Sequence, residues 1–282
     1  MKTTDKMKID KAVLEESVVT ATTKNNDLYD MLLPFIEEDA DLICDNVLGD
    51  VGMAALETDE KLLKQTQKVV CRKAFSENIS SLDLVLTATG FGIVSTQDTA
   101  PASQARVEAL RTQVERQWLQ SLGILVDMLC KVESWGETAQ AEANIRTVFY
   151  SIGMLQTYCS VPKLTGEAWR QAQASINAAD TELRKLVSDE EMDAMLSAIR
   201  KNTLNNVQKN VVFSMRLFIG WSISGGTTYV PHGMRYTMDM MINLMEKHPD
   251  DFPEYMQSDV YKARHFTDYE NTKESPLFIF GG

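Results

Sequence analysis

Hydrophobic positions recur every three or four residues along most of this chain, which is the spacing of amphipathic helices. A short N-terminal stripe (Val13, Leu14, Val18 and Val19) comes before the first clear one. That clear stripe consists of Leu32, Leu33, Ile36, Ala40, Ile43 and Val47. A further stripe consists of Leu62, Leu63, Thr66, Val69, Val70 and Ala74. We predict a helix for each of the two longer stripes, with Thr58 as the N-cap of the second.

The helical spacing stops between residues 82 and 100. There Leu82, Leu84 and Leu86 alternate with polar or small neighbours. Gly90-Phe91-Gly92 is expected to turn the chain, so the stretch predicts a short hairpin or an extended loop. Pro101 is expected to open a long helix. Its apolar stripe is Val107, Leu110, Val114, Trp118, Leu122, Leu125 and Leu129. Another helix is predicted from about Thr138 to Tyr158.

The second half of the chain repeats this order. Its opening stripe is Trp169, Ala172, Ile176, Ala179, Leu183 and Leu186. Aligning the halves places Gly49 on Ser188, and Ser188 with Glu191 predicts a capping box. The helix that it begins is expected to carry Leu204, Val207, Val211, Met215 and Phe218. Pro231 and Arg235 then stand where Pro101 and Arg106 stood. Internal duplication explains this order, but any all-helical protein also alternates helices with glycine and proline breaks.

We therefore predict a mainly all-α fold of two related helical units, each with a short extended or hairpin insertion. Residues 1–28 form an N-terminal segment, 29–160 the first unit and 161–260 the second. Residues 261–282 form an extended C-terminal tail, which ends in an apolar cluster after a polar spacer. The cluster is Leu277, Phe278, Ile279 and Phe280. Because such a cluster is poorly solvated when free, we expect it to pack on its own domain or to dock into a neighbour.

Composition narrows the possible partners. The 282 residues carry a formal charge of −12 and a pI near 4.8, which argues against free nucleic acid as a direct ligand. Between Ile36 and Glu60 there are nine carboxylates and no Lys or Arg. The four cysteines form no CxxC pair and are expected to be buried free thiols. A charged N-terminus and the lack of 18 consecutive apolar residues predict synthesis in the cytoplasm and no membrane contact.

Catalytic and metal-binding motifs are missing from the sequence. Asp39, Asp41 and Asp45 resemble the odd positions of a calcium loop, but the turn glycine is lacking and a solvated acidic helix face is favoured. The histidines, His232, His248 and His265, do not have zinc-site spacing. A methionine stripe (Met234, Met238, Met241 and Met245) predicts core filling more strongly than a binding groove. We expect no enzymatic activity, no cofactor and no metal.

One block of the sequence resembles a known family. It runs from Leu82 to Thr87, continues through Gly90 to Val94, and then includes Pro101-Ala102-Ser103 and Arg106-Val107. It is similar to a motif of head–tail connector proteins from phages and prophages of gut anaerobes. The opening of each half also resembles the helical head–tail adaptors of tailed phages, over Ile36–Gly49 and more loosely over Ile176–Ser188. The specific part covers residues 82–107, and the likeness in organisation covers most of 29–258.

This resemblance implies a structural virion protein of the phage neck, made in the bacterial host cytoplasm. Such adaptors form a ring of about twelve copies beneath the portal. They extend the channel through which DNA passes as cargo, and their partners are the portal, other neck and tail proteins, and copies of themselves. This chain is about twice as long as a simple adaptor. Its second unit therefore either doubles the number of adaptor-like units in the ring or serves as a spacer or a dock.

The resemblance also suggests which residues make contacts. The tail residues Leu277, Phe278, Ile279 and Phe280 match, by position, segments that reach the portal. Phe91 and Ile93 lie in a stretch suited to contacts between subunits or rings. Glu37, Glu38, Asp41 and Asp45 are candidates for the channel wall, although an ordinary solvated helix face explains them equally well. Two rivals remain: a non-viral helical scaffold or peptide-binding module, and an enzyme with an unfamiliar site at His232 or His265.

Overall fold

The computed structural model describes residues 2–18, 27–82, 84–87, 90–93, 103–159, 161, 163–225 and 232–266. Within these ranges the chain is mainly helical, and the sheet that they contain is a two-stranded antiparallel hairpin. The expected mainly all-α fold with a short hairpin insertion is thus confirmed. In the same ranges, no helix combines the length and the apolar character needed to cross a membrane.

The first half of the chain begins with two short helices, α1 (Thr3–Lys6) and α2 (Lys11–Ser17). Helix α3 (Asp27–Ile43) runs into a π-helical turn (Cys44–Leu48), and then come α4 (Gly49–Ala55) and α5 (Glu60–Asn78). A 3-10 turn (Ile79–Ser81) leads to strands β1 (Leu84–Thr87) and β2 (Gly90–Ile93), and then to α6 (Gln104–Leu129). A second 3-10 turn (Trp135–Glu137) and helix α7 (Ala139–Asn144) follow.

The second half contains α8 (Ile152–Tyr158), α9 (Gly166–Val187), α10 (Asp189–Arg200), α11 (Asn206–Ile223) and α12 (His232–Lys247). A 3-10 turn (Pro249–Asp251), α13 (Pro253–Gln257) and α14 (Asp259–Arg264) follow. Helices α3, α5 and α6 pack together in the first half, and α9, α11 and α12 in the second. Their buried faces belong to one continuous hydrophobic cluster.

The predicted stripe of α3 forms its buried face. Leu32, Ile36 and Ala40 are fully buried, and Leu33 is half-buried. The stripe on α5 is buried throughout. The expected N-cap of α5 was wrong by one residue: Asp59, not Thr58, accepts hydrogen bonds from the backbone N–H groups of residues 61 and 62. A carboxylate at this position also interacts favourably with the positive end of the helix dipole.

The hairpin is confirmed, but its turn is not where the glycines predicted it. Leu84 pairs with Ile93 and Thr87 with Gly90, so Gly90-Phe91-Gly92 lies in β2. Helix α6 has Ser103 at its N-cap, whereas Pro101 lies outside the described residues. The apolar stripe of α6 is fully buried at Val114, Leu125 and Leu129 and half-buried at its other four members.

Two predicted helices are in fact broken. The helix expected from Thr138 to Tyr158 is interrupted at residues 145–151, where two arginines from the second half bind backbone carbonyls. Arg200 donates to the Ile145 oxygen at 3.0 and 3.2 Å, and Arg216 donates to the Val148 oxygen at 2.9 Å. These bonds satisfy carbonyls that a continuous helix would satisfy internally.

The helix expected after Ser188 is divided into α10 and α11. Asn202 has a left-handed backbone (φ +52°), and Asn205 caps α11 in a full capping box with Gln208. The predicted box at Ser188 is only half formed. Ser188 accepts from the Glu191 N–H, but the Glu191 carboxylate accepts from the backbone N–H of Tyr255 instead, at 2.9 Å.

The order of elements in α2–α6 recurs in α8–α12. Helices α2 and α8 have seven residues each, and α3 with its π-helical turn spans 22 residues, as α9 does. Each long helix ends at a residue with positive φ, Gly49 (+62°) and Ser188 (+85°), the pair that the sequence alignment matches. The repeat therefore extends to the short helix before each unit.

Burial also matches between the halves. In α3 and α9 the buried positions 32, 36, 39, 40 and 43 correspond to 172, 176, 179, 180 and 183, at a difference of 140. After the π-helical turn, Gly49 and Ser188 differ by 139. A π-helical turn holds one residue more than an α-helical turn spanning the same hydrogen bond. It therefore accounts for the extra residue of the first half.

Candidate assembly surfaces

The acidic run divides into exposed and paired carboxylates. Glu38, Asp41 and Asp45 are exposed on the outer side of α3 and its π-helical turn. Glu37, another predicted channel residue, is half-buried and forms a salt bridge with Lys2. Three of the four candidates thus lie on the solvent-facing surface of the first half.

Asp39 belongs to the same run but is buried, so the expectation that it lies on a solvated acidic face together with Asp41 and Asp45 was wrong. Lys73 on α5 donates to its carboxylate at 2.7 Å and also binds Glu77 at 2.8 Å. Burial raises the pKa of Asp39, and the hydrogen bond from Lys73 opposes that rise. Lys73 also stands 6.0 Å above the ring of Trp118. Because Asp39 is three residues from Ile36 and four from Ile43, the helical period alone could have placed it on the buried face.

Apolar side chains lie among the exposed carboxylates of α3. Met31, Phe35 and Leu42 have 50, 39 and 42% of their surface exposed. Their spacing of four and seven residues places them on one outward face of the helix. The outer side of α3 is therefore a mixed apolar and acidic surface, not a purely acidic one.

Of the other predicted contact residues, the structure describes the two in the hairpin but not the four in the C-terminal tail. Phe91 pairs with Leu86 and Ile93 with Leu84 in the hairpin register. Leu277, Phe278, Ile279 and Phe280 lie outside the described residues. Their proposed contact role remains a prediction.

The two halves meet where α6 packs against the start of α8 and α9. Glu115 on α6 forms a salt bridge with Arg170 on α9, with Oε1 and Nη1 2.6 Å apart. Two glycines allow close approach: a Cβ on Gly166 would overlap the Glu115 carboxyl group, and a Cβ on Gly123 would stand 2.9 Å from the Ser151 Cβ. A methyl group at Gly123 would press against the Ser151 Cβ at the start of α8, whereas one at Gly166 would displace the flexible Glu115 carboxyl group from its place beside Arg170. We call this contact the internal junction.

A cavity of about 560 Å³ with a mixed polar and apolar lining lies beside the internal junction. Its lining includes Gln117, Gln120, Gly153, Thr157 and Arg216.

A buried hydrogen bond also connects two turns of the first half. Trp135 is fully buried and donates its indole N–H to the Val47 oxygen at 3.0 Å. This bond holds the 3-10 turn before α7 against the π-helical turn after α3.

The methionine stripe fills the core, as expected. Met238, Met241 and Met245 are buried and Met234 is half-buried, whereas Met240, beside the stripe, is 48% exposed. A groove of about 660 Å³ between α9, α11 and α12 is lined by Leu186, Phe218, Trp221, Arg235 and Met238, among others.

The two histidines of the enzyme hypothesis, His232 and His265, are not in the lining of either cavity described above. His232 is exposed at the start of α12. His265 contacts the Glu246 carboxylate at 3.0 Å, and the Tyr255 hydroxyl donates to the same oxygen at 3.1 Å. Arg264 in turn donates to that hydroxyl at 2.8 Å. These bonds link α12 to α13 and α14, which explains the cluster as a structural tie.

The prediction of buried free thiols is confirmed for two of the four cysteines. Cys71 and Cys130 are buried free thiols, as predicted, and burial raises the pKa of each to about 12. Cys44 and Cys159 are free but only half-buried, so that part of the prediction was wrong. In the part of the chain that the structure describes, no three His, Cys, Asp or Glu side chains are grouped as metal ligands.

Fold and surfaces define a mainly helical protein whose elements repeat along the chain. Compared with known families, residues 13–145 match the model of a family of unknown function, DUF6712. This range is a little less than half of the chain; it begins within α2 and ends at the residue after α7. No curated protein and no solved structure matches.

Proposed function

We propose that this chain is a structural virion protein of the phage neck: a head–tail connector or adaptor that forms a ring beneath the portal and extends the DNA channel. The observation that carries the proposal is the repetition of one series of helices, with α6 of the first half packed against α8 and α9 of the second half. A unit that binds its successor head to tail is the element from which rings are built, because a heterologous contact closes when its rotation does.

The acidic surface of α3 suits a channel wall. Exposed carboxylates at Glu38, Asp41 and Asp45 repel phosphate, so that passing DNA is not retained as it would be on a basic surface. The neighbouring Phe35 and Leu42 favour a protein contact on part of the same helix. We therefore assign the exposed carboxylates to the channel wall. Phe35 and Leu42 are assigned to a protein contact at the edge of that wall.

Portal binding is assigned to the C-terminal tail, with a contact through the hairpin residues Phe91 and Ile93 to the next subunit or ring. From Phe266 to Leu277 is eleven residues, which span up to about 36 Å when extended. That length allows an apolar cluster at the end of the chain to reach a partner well outside its own helices. The partners are then the portal, other neck and tail proteins, and further copies of the chain, with DNA as passing cargo. No catalysis and no cofactor enter this role.

Truncating the tail tests the proposal. Deletion of residues 270–282, or replacement of Leu277, Phe278, Ile279 and Phe280 by serine, is expected to leave the helices folded and to abolish incorporation into particles. The matched control replaces the polar residues 270–275 with a glycine–serine spacer of equal length, and is expected to incorporate normally. Particles assembled with portal and capsid proteins are purified, and the chain is quantified by mass spectrometry. Full incorporation of the serine variant would refute the portal-binding role of the tail.

Imaging provides the second arm of the test. Purified portal mixed with this chain is expected to show an added ring at one end of the portal by electron microscopy.

The composition of purified particles is a separate check. Particles that lack the wild-type chain altogether would contradict a virion role.

A helical scaffold that binds a peptide is the second candidate. The groove between α9, α11 and α12, with Phe218, Trp221 and Met238 in its lining, is the feature that favours it. The buried state of Met238 and Met241 does not favour the methionine groove that this reading required. A Trp221→Ala variant that still enters particles would separate the two functions.

A further inference from the structure

Two pairs of long helices in the two halves align by their burial. Helices α3 and α9 share their buried positions at a difference of 140. Helices α5 and α11 share theirs at a difference of 149, with almost the same succession of buried, half-buried and exposed residues. Three of the pairs that are buried on both sides are Leu62 with Val211, Thr66 with Met215 and Val69 with Phe218.

Contacts with the short helices support the register of α5 and α11. The Ser17 oxygen, at the end of α2, accepts a hydrogen bond from Arg72 on α5. A Cβ on Gly220 of α11 would stand 2.2 Å from the oxygen of Tyr158, at the end of α8. Arg72 and Gly220 lie within one residue of each other at this difference, so the contacts agree with the burial.

The register explains why a groove is open between α9, α11 and α12. In the first half, Lys73 on α5 and Asp39 on α3 form a salt bridge of 2.7 Å between the two helices. Their counterparts are Ser222 on α11 and Ala179 on α9, and both line the groove. Two small side chains thus stand where the first half has an ion pair, which leaves a space of about 660 Å³ between the helices.

The lining of the groove indicates what fits it. Its large apolar residues are buried or half-buried: Leu186, Phe218, Trp221 and Met238. Its charged residues are exposed and include two of each sign: Glu182, Lys185, Arg235 and Asp239. An uncharged apolar segment therefore suits the groove better than a segment with a strong net charge, because it brings no charge that must be desolvated.

The C-terminal tail contains such a segment, the apolar cluster Leu277, Phe278, Ile279 and Phe280. The last described residue, Phe266, follows α14, and α14 packs against α9. Lys185 on α9 lines both the groove and a cavity that Val260 of α14 also lines, so the tail starts close to the groove. From Phe266 to Leu277 is eleven residues, which span up to about 36 Å when extended and reach the groove with length to spare.

We propose that the apolar cluster of the tail binds in the groove between α9, α11 and α12 of its own chain. Its own groove is favoured over that of a second copy, because a short tether gives an effective concentration of order mM. The contact goes beyond the neck role and does not depend on it. In a neck protein it holds the portal-binding cluster in the free chain until the portal displaces it.

Photo-crosslinking in the full-length chain tests the contact. p-Benzoylphenylalanine is placed at Phe278, and the irradiated protein is analysed by peptide mass spectrometry. Crosslinks are expected to the lining of the groove, including Met238. The same label at Tyr269, in the polar spacer, is the positional control and is expected to give no such crosslinks. No groove crosslinks from position 278, or equal yields from both positions, would overturn the proposal.

Two exposed alanines of α9 provide a groove variant and its matched control. Ala178 lines the groove, whereas Ala174, one helical turn earlier, is outside the lining. Ala178→Glu is expected to lower the crosslink yield from position 278 about tenfold, because the docked cluster would remove water from the new carboxylate. Ala174→Glu is expected to keep the wild-type yield. Circular dichroism and melting temperature establish that both variants are folded, and equal yields in the two would contradict the proposal.

Isotope mixing distinguishes a chain's own groove from that of a second copy. Unlabelled and isotopically heavy chains are mixed in equal amounts before irradiation. Crosslinks are expected within light chains and within heavy chains. Crosslinks that join light to heavy peptides with comparable frequency would show that the tail binds a second copy, which overturns the proposal.

A peptide competition needs no label in the chain. A fluorescent peptide of residues 270–282 is added to wild type and to the full-length variant whose apolar cluster is replaced by serine. Because the groove of the serine variant has lost its tethered competitor, this variant is expected to bind the peptide at least about tenfold more tightly in fluorescence anisotropy. Adding Ala178→Glu to it is expected to remove that binding. Equal affinity of wild type and the serine variant would count against the contact.

These measurements use the isolated chain, so their outcome is separate from that of particle incorporation. A tail that binds its own groove in a chain that never enters particles contradicts the neck role alone. A chain that enters particles but gives no groove crosslinks contradicts the groove contact alone.

Discussion

Replacing the buried carboxylate Glu191 by glutamine is expected to stabilise the protein above neutral pH. Glu191 is 1% exposed, and its carboxylate accepts the Tyr255 N–H at the start of α13. Burial raises its pKa from 4.5 to about 7; the nearby Glu254 carboxylate adds to the rise, and the Tyr255 hydrogen bond opposes it. The folded chain thus holds this proton more tightly than the unfolded chain does.

The pH dependence of the stability contribution of Glu191 follows from that difference in pKa. Below pH 4.5 the carboxyl is neutral in both states, and its contribution to stability is fully present. As pH rises through the folded-state pKa near 7, the buried group ionises and that contribution is lost. The shift corresponds to a ceiling of about 3 kcal/mol above pH 7. Since glutamine carries no charge and keeps an oxygen for the Tyr255 N–H, we expect a gain of about 1–3 kcal/mol at pH 8 and little change at pH 5.

Thermal unfolding of wild type and Glu191→Gln between pH 5 and 8.5 measures this difference. In a protein of this size about 1 kcal/mol corresponds to roughly 2–4 °C in melting temperature. Glu190→Gln is the matched control, because the neighbouring carboxylate is exposed and its replacement is expected to change the melting temperature little at either pH. A Glu191→Gln variant that is equally or less stable than wild type at pH 8 would refute the reasoning.

Two further substitutions test packing within the first half and within the second. Trp135→Phe removes the indole N–H and leaves the buried Val47 oxygen without that donor, so it is expected to cost about 1–3 kcal/mol in chemical denaturation. Gly220→Ala is expected to destabilise by about 1–3 kcal/mol, because its Cβ would overlap the Tyr158 oxygen. Gly233→Ala, also in a helix but with no atom within 4 Å of the added Cβ, is expected to be neutral or stabilising.

If Gly220→Ala proves as stable as Gly233→Ala, the close approach of α8 to α11 is not a constraint on the fold. If Trp135→Phe proves neutral, the hydrogen bond between the 3-10 turn before α7 and the π-helical turn contributes little to stability.

Elements with a strong local pattern could be predicted from the sequence. The stripe of α3 predicts its buried face because burial in a helix follows the 3.6-residue period, and Ile36 and Ala40 lie on it. The hairpin is equally local, since alternation at Leu84 and Leu86 is typical of strands. The sequence alignment of the two halves also pairs Gly49 with Ser188, and both residues have positive φ.

Breaks set by distant contacts could not be predicted. Nothing between Thr138 and Tyr158 ends a helix as proline would; the interruption depends on Arg200 and Arg216, more than fifty residues away. The break after α10 did carry a local signal. Asn205 with Gln208 is a capping box of the polar type, although the apolar period beginning at Leu204 runs through it.

The candidate contact surfaces could be predicted only in part from the hydrophobic period of the sequence. The carboxylates of α3 were correctly placed on a polar face at Glu38, Asp41 and Asp45. Exposed Phe35 and Leu42 on the same helix were not expected, because a period of apolar residues identifies the buried face and leaves single apolar residues elsewhere uninterpreted. The internal junction required a structure, since Glu115 and Arg170 are distant in sequence and ordinary in composition.

The halves keep their cores and differ on their outer faces, which bears on what the second unit does. At a difference of 140, the exposed residues Met31, Phe35 and Leu42 of α3 correspond to Gln171, Ser175 and Glu182 of α9. Apolar contact gives binding energy in proportion to the apolar surface removed from water, so a partner held by the α3 face would find little of it on α9. If duplication produced this chain, the two units no longer present the same outer face. Within the proposed neck role, this favours a second unit that serves as a spacer or dock over a ring with twice the number of equivalent adaptor units.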